Sequence, residues 1–249
     1  MLVLVVAVTF VELGRWQLRR HDERAALNAG VAASLAHPVA PVEEILSVGD
    51  PPSADLEWRQ VEVVGTYDVE HELLLRNQSY DGNPGFEVIT PLVTAAGPAL
   101  LVDRGWAPVG ETATDSPAVP GPPLGEVAVR ARVRLGTTED AESAGLPEGQ
   151  IRQIAVHDIA GDLPYPVYGA YAALLPGEPG AGTGAEPPRV SASPEPSSGP
   201  HLAYAVQWFL FTLIALGGWV VLLRGEARPG PAGTRQKPDA PALRPRVHT

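Results

Sequence analysis

Residues 202–223 read LAYAVQWFLFTLIALGGWVVLL, a run without one charged side chain. As an α-helix at about 1.5 Å per residue it is about 33 Å long, enough to cross a hydrocarbon core of about 30 Å. Trp208 stands some way in and Trp219 near the far end, roughly where interfacial aromatic side chains anchor a span. Pro200 ahead of it supplies a helix start, and Arg224 and Arg228 behind it a cationic stop. The tail 224–249 holds five Arg and one Lys against two acids. By the positive-inside rule that tail lies in the cytoplasm, which puts His201 at the outer surface. The alternative for the same run is a buried helix of a large soluble protein.

At the other end, Val3–Val11 is apolar except for Thr9, and Met1–Leu13 carries one charge, Glu12. Thirteen residues make about 20 Å of helix, short of a full span. A signal peptide fits poorly. There is no basic leading region, and the one small-residue cleavage pattern, Ser34-Leu35-Ala36, lies far beyond the apolar run. The expectation is therefore a first transmembrane helix over 1–19 whose beginning is missing, with both termini in the cytoplasm. Arg15, Arg19 and Arg20 on the outer side run against the charge rule, so the orientation rests on the tail.

Between the two runs the chain is acidic. Residues 24–200 hold nine Arg against 24 acids, within a formal net charge of −11 for all 249 residues. Such a surface is a poor nucleic-acid binder, because phosphate affinity needs basic charge. The absence of Cys excludes disulfides, thiolate metal sites and Cys nucleophiles.

Helical spacing continues from residue 20 to 36 until Pro38 and Pro41 stop it, and a Pro-rich connection follows to 54. Period-two alternation predicts strands at Trp58–Tyr67, Glu72–Arg76, Gly85–Val93 and Ala99–Trp106, with a turn over Asp81–Gly85. Glu126–Arg134 alternates almost strictly, Val and Ala on one face and mostly Arg on the other. That is a half-exposed antiparallel strand whose Arg row solvates its face, a ligand role being the second reading. Ile151–Leu163 reads as a short helix and Tyr165–Leu175 as a last strand. Residues 55–175 thus form one domain. Residues 176–200, rich in Pro, Gly, Ser and Ala without periodicity, read as a flexible tether. The fold class is α+β, with two transmembrane helices flanking an extracytoplasmic, mainly antiparallel β domain.

Catalytic signatures are mostly absent: no Gly-x-Ser-x-Gly, no phosphate loop, no dinucleotide fingerprint and no helical His pair. Glu70-His71-Glu72 reads as a solvated strand edge and His157-Asp158 as a surface pair. His201 differs. With Tyr204, Trp208, Phe211 and Ala215 it falls within an arc of about 80° on a helical wheel, Gln207 at its edge. An imidazole above aromatic rings at a membrane surface is what an amphipathic planar cofactor such as haem needs. The plainer alternative is an interfacial His among aromatic-belt neighbours.

Three blocks carry a family resemblance. Leu13-Gly14-Arg15-Trp16-Gln17-Leu18-Arg19-Arg20 resembles the Gly-x-Trp-Gln-x-x-Arg signature of the Surfeit locus protein 1 (Shy) family. Gly85-Phe86-Glu87-Val88-Ile89-Thr90-Pro91-Leu92 and Leu101-Val102-Asp103-Arg104-Gly105-Trp106 resemble its Gly-x-x-Val-x-Thr-Pro-Leu and Val-x-Arg-Gly-Trp pair. His201-Leu202-Ala203-Tyr204-Ala205-Val206-Gln207-Trp208 is similar to its His-x-x-Tyr-Ala-x-Gln-Trp entry to the second span.

The resemblance implies a non-enzymatic, multi-pass assembly factor for cytochrome c oxidase in a bacterial plasma membrane. It acts around insertion of haem a into the oxidase's catalytic subunit, subunit I, with haem A synthase as a further partner. It also implies His201 as the haem iron ligand, with Trp16, Gln17 and Arg20 facing Tyr204, Gln207 and Trp208. Arg104 is expected to close a strand-end turn, with Gly105 supplying backbone freedom, or else to pair a haem propionate. A second reading is a membrane-tethered scaffold that holds assembly partners and never binds haem. A third shares only the topology, as a signalling or envelope protein.

Overall fold

The computed structural model describes residues 1–110, 117–139, 145–183, 186–190, 197 and 199–226. In chain order the elements are α1 (Leu2–Ala36), β1 (Ala40–Pro41), α2 (Val42–Ile45), β2 (Gln60–Tyr67), β3 (Leu73–Tyr80) and β4 (Asn83–Thr94). They continue with β5 (Ala99–Pro108), β6 (Glu126–Arg134), β7 (Gln150–Ile151), α3 (Val156–Asp162), β8 (Val167–Leu174) and α4 (His201–Glu226). The chain divides into two compact units, 1–23 with 198–249, and 24–197. The basic tail beyond residue 226 lies outside the described residues.

The unit 24–197 is a β barrel. Strand order β2-β6-β8-β5-β4 closes on itself through a further pairing of β4 with β2, while β1, β3 and β7 add to the rim. Of the eight strand pairings among the described residues, five are antiparallel and three parallel. The sheet is therefore mixed, with antiparallel pairings in the majority as expected. The parallel partner of β5 is β8, reached through β6 and α3, and such a crossover needs that length of chain.

Period-two burial explains why these residues close a barrel. On β2 the side chains of Val61, Val63 and Tyr67 are buried, while Glu62, Val64 and Thr66 point out. Val129, Ala131 and Val133 of β6 and Ala170, Ala172 and Leu174 of β8 join Leu92, Leu100 and Val102 in the same interior cluster. Outside the barrel, Ile89 and Leu101 pack under Ile151, Ile154, Val156 and Ile159, so β5 is covered on both faces. Burial of this kind contributes about 25 cal/mol per Å² of apolar surface, the main term holding the barrel.

Several local expectations change. The hairpin turn is only Asp81-Gly82, both at positive φ (50° and 77°), which matches the twist of a two-residue connection; Asn83 already belongs to β4. The Arg row of β6 does not simply solvate its face. Arg130 pairs with Glu178 and Arg134 lies 4.1 Å over the Trp58 ring, but Arg132 is 3% exposed. The region 151–163 is strand β7 followed by the shorter helix α3.

The supposed tether is corrected too. Pro179 and Gly180 carbonyls accept hydrogen bonds from Tyr67 and Arg104, Ala181 and Val190 pack on the barrel interior, and Arg189 bridges to Trp106. The described part of 176–190 is therefore a plug over one mouth of the barrel. Its low complexity hid this, because carbonyls and small side chains can seal a polar rim without periodicity.

Candidate functional site

The unit 1–23 with 198–226 is a pair of antiparallel helices. Phe10 of α1 meets Trp208 and Phe211 of α4 (ring centroids 5.3 and 6.0 Å), Gly14 faces Phe209, and Gln17 reaches His201. Residue numbers rise on one helix as they fall on the other. Small residues let the backbones approach: Ala7 and Gly14 on α1 and Ala205 on α4 are buried. A Cβ at Gly14 would lie 2.8 Å from the Phe209 ring, so this position has no room for a side chain. Thr212, also buried, satisfies its hydroxyl on the Trp208 carbonyl one turn back (3.0 Å).

The outward faces are apolar. Leu202, Val206, Leu210, Leu213, Ile214 and Val221 are all more than half exposed. Helix α4 is long and apolar enough to cross a membrane over His201–Gly225, and it is the only such helix among the described residues.

At one end of the pair sits the hydrogen bond that ties the helices together by side chains. His201 Nδ1 and Gln17 Oε1 are 2.9 Å apart, across 184 residues of sequence. The other sequence-selected residues distribute around it. Trp208 is turned inward on Phe10, whereas Tyr204 and Trp16 are 47% and 50% exposed. Gln207 is exposed, and Arg20 hydrogen-bonds Glu23 of its own helix at 3.0 Å. Trp16, Arg19, Arg20 and Glu23 line an open hollow of about 290 Å³. In place of the expected facing of Trp16, Gln17 and Arg20 onto Tyr204, Gln207 and Trp208, Gln17 meets His201. Ala205 and Thr212 centre the inner face, so the aromatic stripe is split by the helix interface rather than gathered on one side.

Arg104 belongs to the barrel. It lies within β5, not at a strand-end turn, and is 1% exposed. Its guanidinium donates to Glu72 Oε2 (2.8 Å), the Gly180 carbonyl (3.0 Å) and the Pro120 carbonyl (2.6 Å). Thr90 Oγ1 donates to the same Glu72 oxygen at 2.7 Å. The turn expectation fails because a β-bulge, with Gly105 at φ 120°, inserts Arg104 into the ladder and aims it over the Tyr67 ring. Glu72, read as part of a solvated edge, is the counter-ion of this clamp.

Two further ionisable groups were missed by the sequence. Asp68 Oδ2 accepts from Tyr165 and lies 2.7 Å from His71 Nδ1. Burial opposes its charge, but these hydrogen bonds outweigh burial and hold the carboxyl below its usual range. Asp103 is pushed up to about 8, first by burial and then by the neighbouring Glu87, which burial raises as well. Neither could be foreseen, since their partners lie on other strands. His157 and Asp158 form the expected exposed pair at 3.1 Å. Among the described residues no group of three or more His, Asp or Glu side chains is placed to hold a metal ion.

Comparison with known proteins supplies the remaining constraint. The model of the SURF1 family matches residues 4–213. Uncharacterized SURF1-like proteins of Mycobacterium tuberculosis and Mycobacterium bovis are 30% identical over 245 residues, 96% of this chain and 87% of theirs. A SURF1-like protein of Monosiga brevicollis is 28% identical over 249 residues, 92% of this chain and 89% of its own.

Proposed function

The chain belongs to the SURF1 family, and from that premise we propose that it is an integral membrane assembly factor for cytochrome c oxidase, helping deliver or insert haem a into the catalytic subunit. In this reading α1 and α4 both cross a bacterial plasma membrane and the barrel stands outside it. Subunit I of the oxidase receives the cofactor, and haem A synthase is a partner on the supply side. The protein itself makes and breaks no covalent bond.

One observation carries the reading: His201 heads the membrane-capable helix and is held there by Gln17 of the partner helix. The residues fit an iron porphyrin by their chemistry. A haem bound there supplies an iron that accepts an axial nitrogen. His201 offers that nitrogen, since its other ring atom makes the Gln17 contact and Nε2 has no hydrogen bond among the described residues. Tyr204 and Phe211, exposed at 47% and 37%, offer apolar cover on the lipid side, with Gln207 beside them. Trp16 and Arg20 around their hollow suit a carboxylate edge near water. Trp208 acts from behind, by packing on Phe10.

A second reading, the scaffold that never binds haem, is favoured by the split of the aromatic stripe, because Trp208 is used to join the helices. The full chain purified from cells that make haem A separates the two. A Soret band with a haem a pyridine haemochrome is expected, and His201→Ala should lose most of it without unfolding the barrel. The exposed control His157→Ala should leave the spectrum unchanged. Full occupancy and an unshifted Soret band in His201→Ala, with oxidase still assembling, would hand the function to the scaffold.

A further inference from the structure

We infer that Gln17 is a positioning residue: it fixes the His201 imidazole in the Nδ1–H tautomer and so leaves Nε2 as an open lone pair at the end of the helix pair. The inference rests on the haem reading only for what the lone pair is used for.

The geometry is a single contact with a directional consequence. Gln17 Oε1 lies 2.9 Å from His201 Nδ1. An amide oxygen has no proton to give, so the hydrogen in this bond belongs to Nδ1. In a neutral imidazole the proton then cannot also be on Nε2, and which nitrogen is free is set by the bond the other one makes. Among the described residues Nε2 has no hydrogen-bond partner, and the residue beside it is Gly199. A Cβ built there would sit 3.4 Å from both Nε2 and Cδ2, beside the ring edge.

The choice of an amide matters as well. A carboxylate would accept the same hydrogen but favour the imidazolium, which protonates Nε2 and removes the lone pair. Gln17 orients the ring without drawing a second proton to it. Gln17 approaches from α1, and among the described residues no carboxylate pairs with the ring. An outer partner that orients a metal-binding histidine is commonly worth about ten- to a hundredfold in affinity.

The test uses the full chain in nanodiscs, first without any ligand. With ¹⁵N-labelled histidine and His201→Ala to assign the signal, the wild type should show a protonated Nδ1 and an unprotonated Nε2. Gln17→Leu should shift His201 towards the Nε2–H form. Gln17→Glu, nearly isosteric and still an acceptor, should keep the Nδ1 proton. A wild-type His201 protonated on Nε2, or a tautomer that does not respond to Gln17→Leu in a protein with unchanged circular dichroism, overturns the inference. In a second arm haemin is titrated into each variant, with binding about tenfold or more weaker expected for Gln17→Leu. If the ligand-free signals are as stated and the wild type takes up no haemin, the positioning role stands and the haem reading falls.

Discussion

The helix pair and the barrel handle polar groups in opposite ways. In the barrel, ionisable side chains are buried and committed: Arg104 reaches three acceptors, one of them the Glu72 carboxylate, and Asp68 serves both His71 and Tyr165. In the helix pair the buried positions are Ala7, Gly14, Ala205 and Thr212, side chains such as Leu202, Val206, Leu210 and Leu213 face outward, and among the described residues His201 has one hydrogen-bond partner. In the proposed topology the difference follows from the surroundings of each unit. A domain in water must bury its apolar atoms and can seal polar ones inside only if they are paired. Helices built for lipid gain nothing by hiding Leu and Val, so they join through small residues and a few hydrogen bonds. This contrast in pairing supports the proposal that the site lies on the helix pair.

The sharpest way to break this comparison is Glu72→Ala. It strips the buried Arg104 of its carboxylate and should destabilise the barrel by about 3–5 kcal/mol, the usual cost of leaving one partner of a buried pair alone. Hydrogen exchange of the β2, β4, β5, β6 and β8 amides should accelerate while α4 amides stay protected. If α4 loosens equally, the two units do not keep separate stabilities.

Gly14→Leu reverses the experiment. A side chain against Phe209 should cost about 1–3 kcal/mol by overpacking and part the helices, leaving the barrel's exchange unchanged. The chain has no Cys of its own, so Cys pairs introduced at 10 and 208 can be joined by a short thiol cross-linker. The yield should fall when Gly14→Leu is added. An undiminished yield would mean that close approach at Gly14 is not what joins the pair.

Asp103→Asn should have the smallest effect at neutral pH, because an amide replaces a carboxyl that is already largely protonated there. The carboxyl is moved from its ordinary 3.8 up to about 8. The folded barrel therefore keeps a proton that the unfolded chain releases above about pH 4. The stability this contributes is complete below that pH, declines as pH rises, and is lost through about pH 8. Urea titrations of the full chain from pH 4 to 9 should show this decline in the wild type and a flatter profile in Asp103→Asn. Equal slopes would show that Asp103 is ionised in the fold like an exposed carboxyl.

Much of this molecule was legible one segment at a time. Twenty-two uncharged residues before Arg224 read as a membrane-capable helix, and the helical spacing to residue 36 ended at Pro38, close to the observed end of α1 at Ala36. The alternation of Val61, Val63 and Tyr67, or of Val129, Ala131 and Val133, placed β2 and β6 and their inner faces. These signals are local because helix and strand periods are properties of neighbouring residues. His201 was singled out the same way, by its place at the head of α4.

The tertiary structure alone decided which strands meet. Closure of β4 onto β2, the parallel pairing of β5 with β8, and the plug at 176–190 join residues far apart in sequence, and no period records them. Arg104 looked like a turn residue because one bulge reversed where it points. Gln17 was expected to face Tyr204, Gln207 and Trp208, and its partner His201, 184 positions away, is set only by the packed helix pair. Periodicity tells each side chain which face it shares, whereas the partner on that face is chosen only when distant segments close their loops and pack.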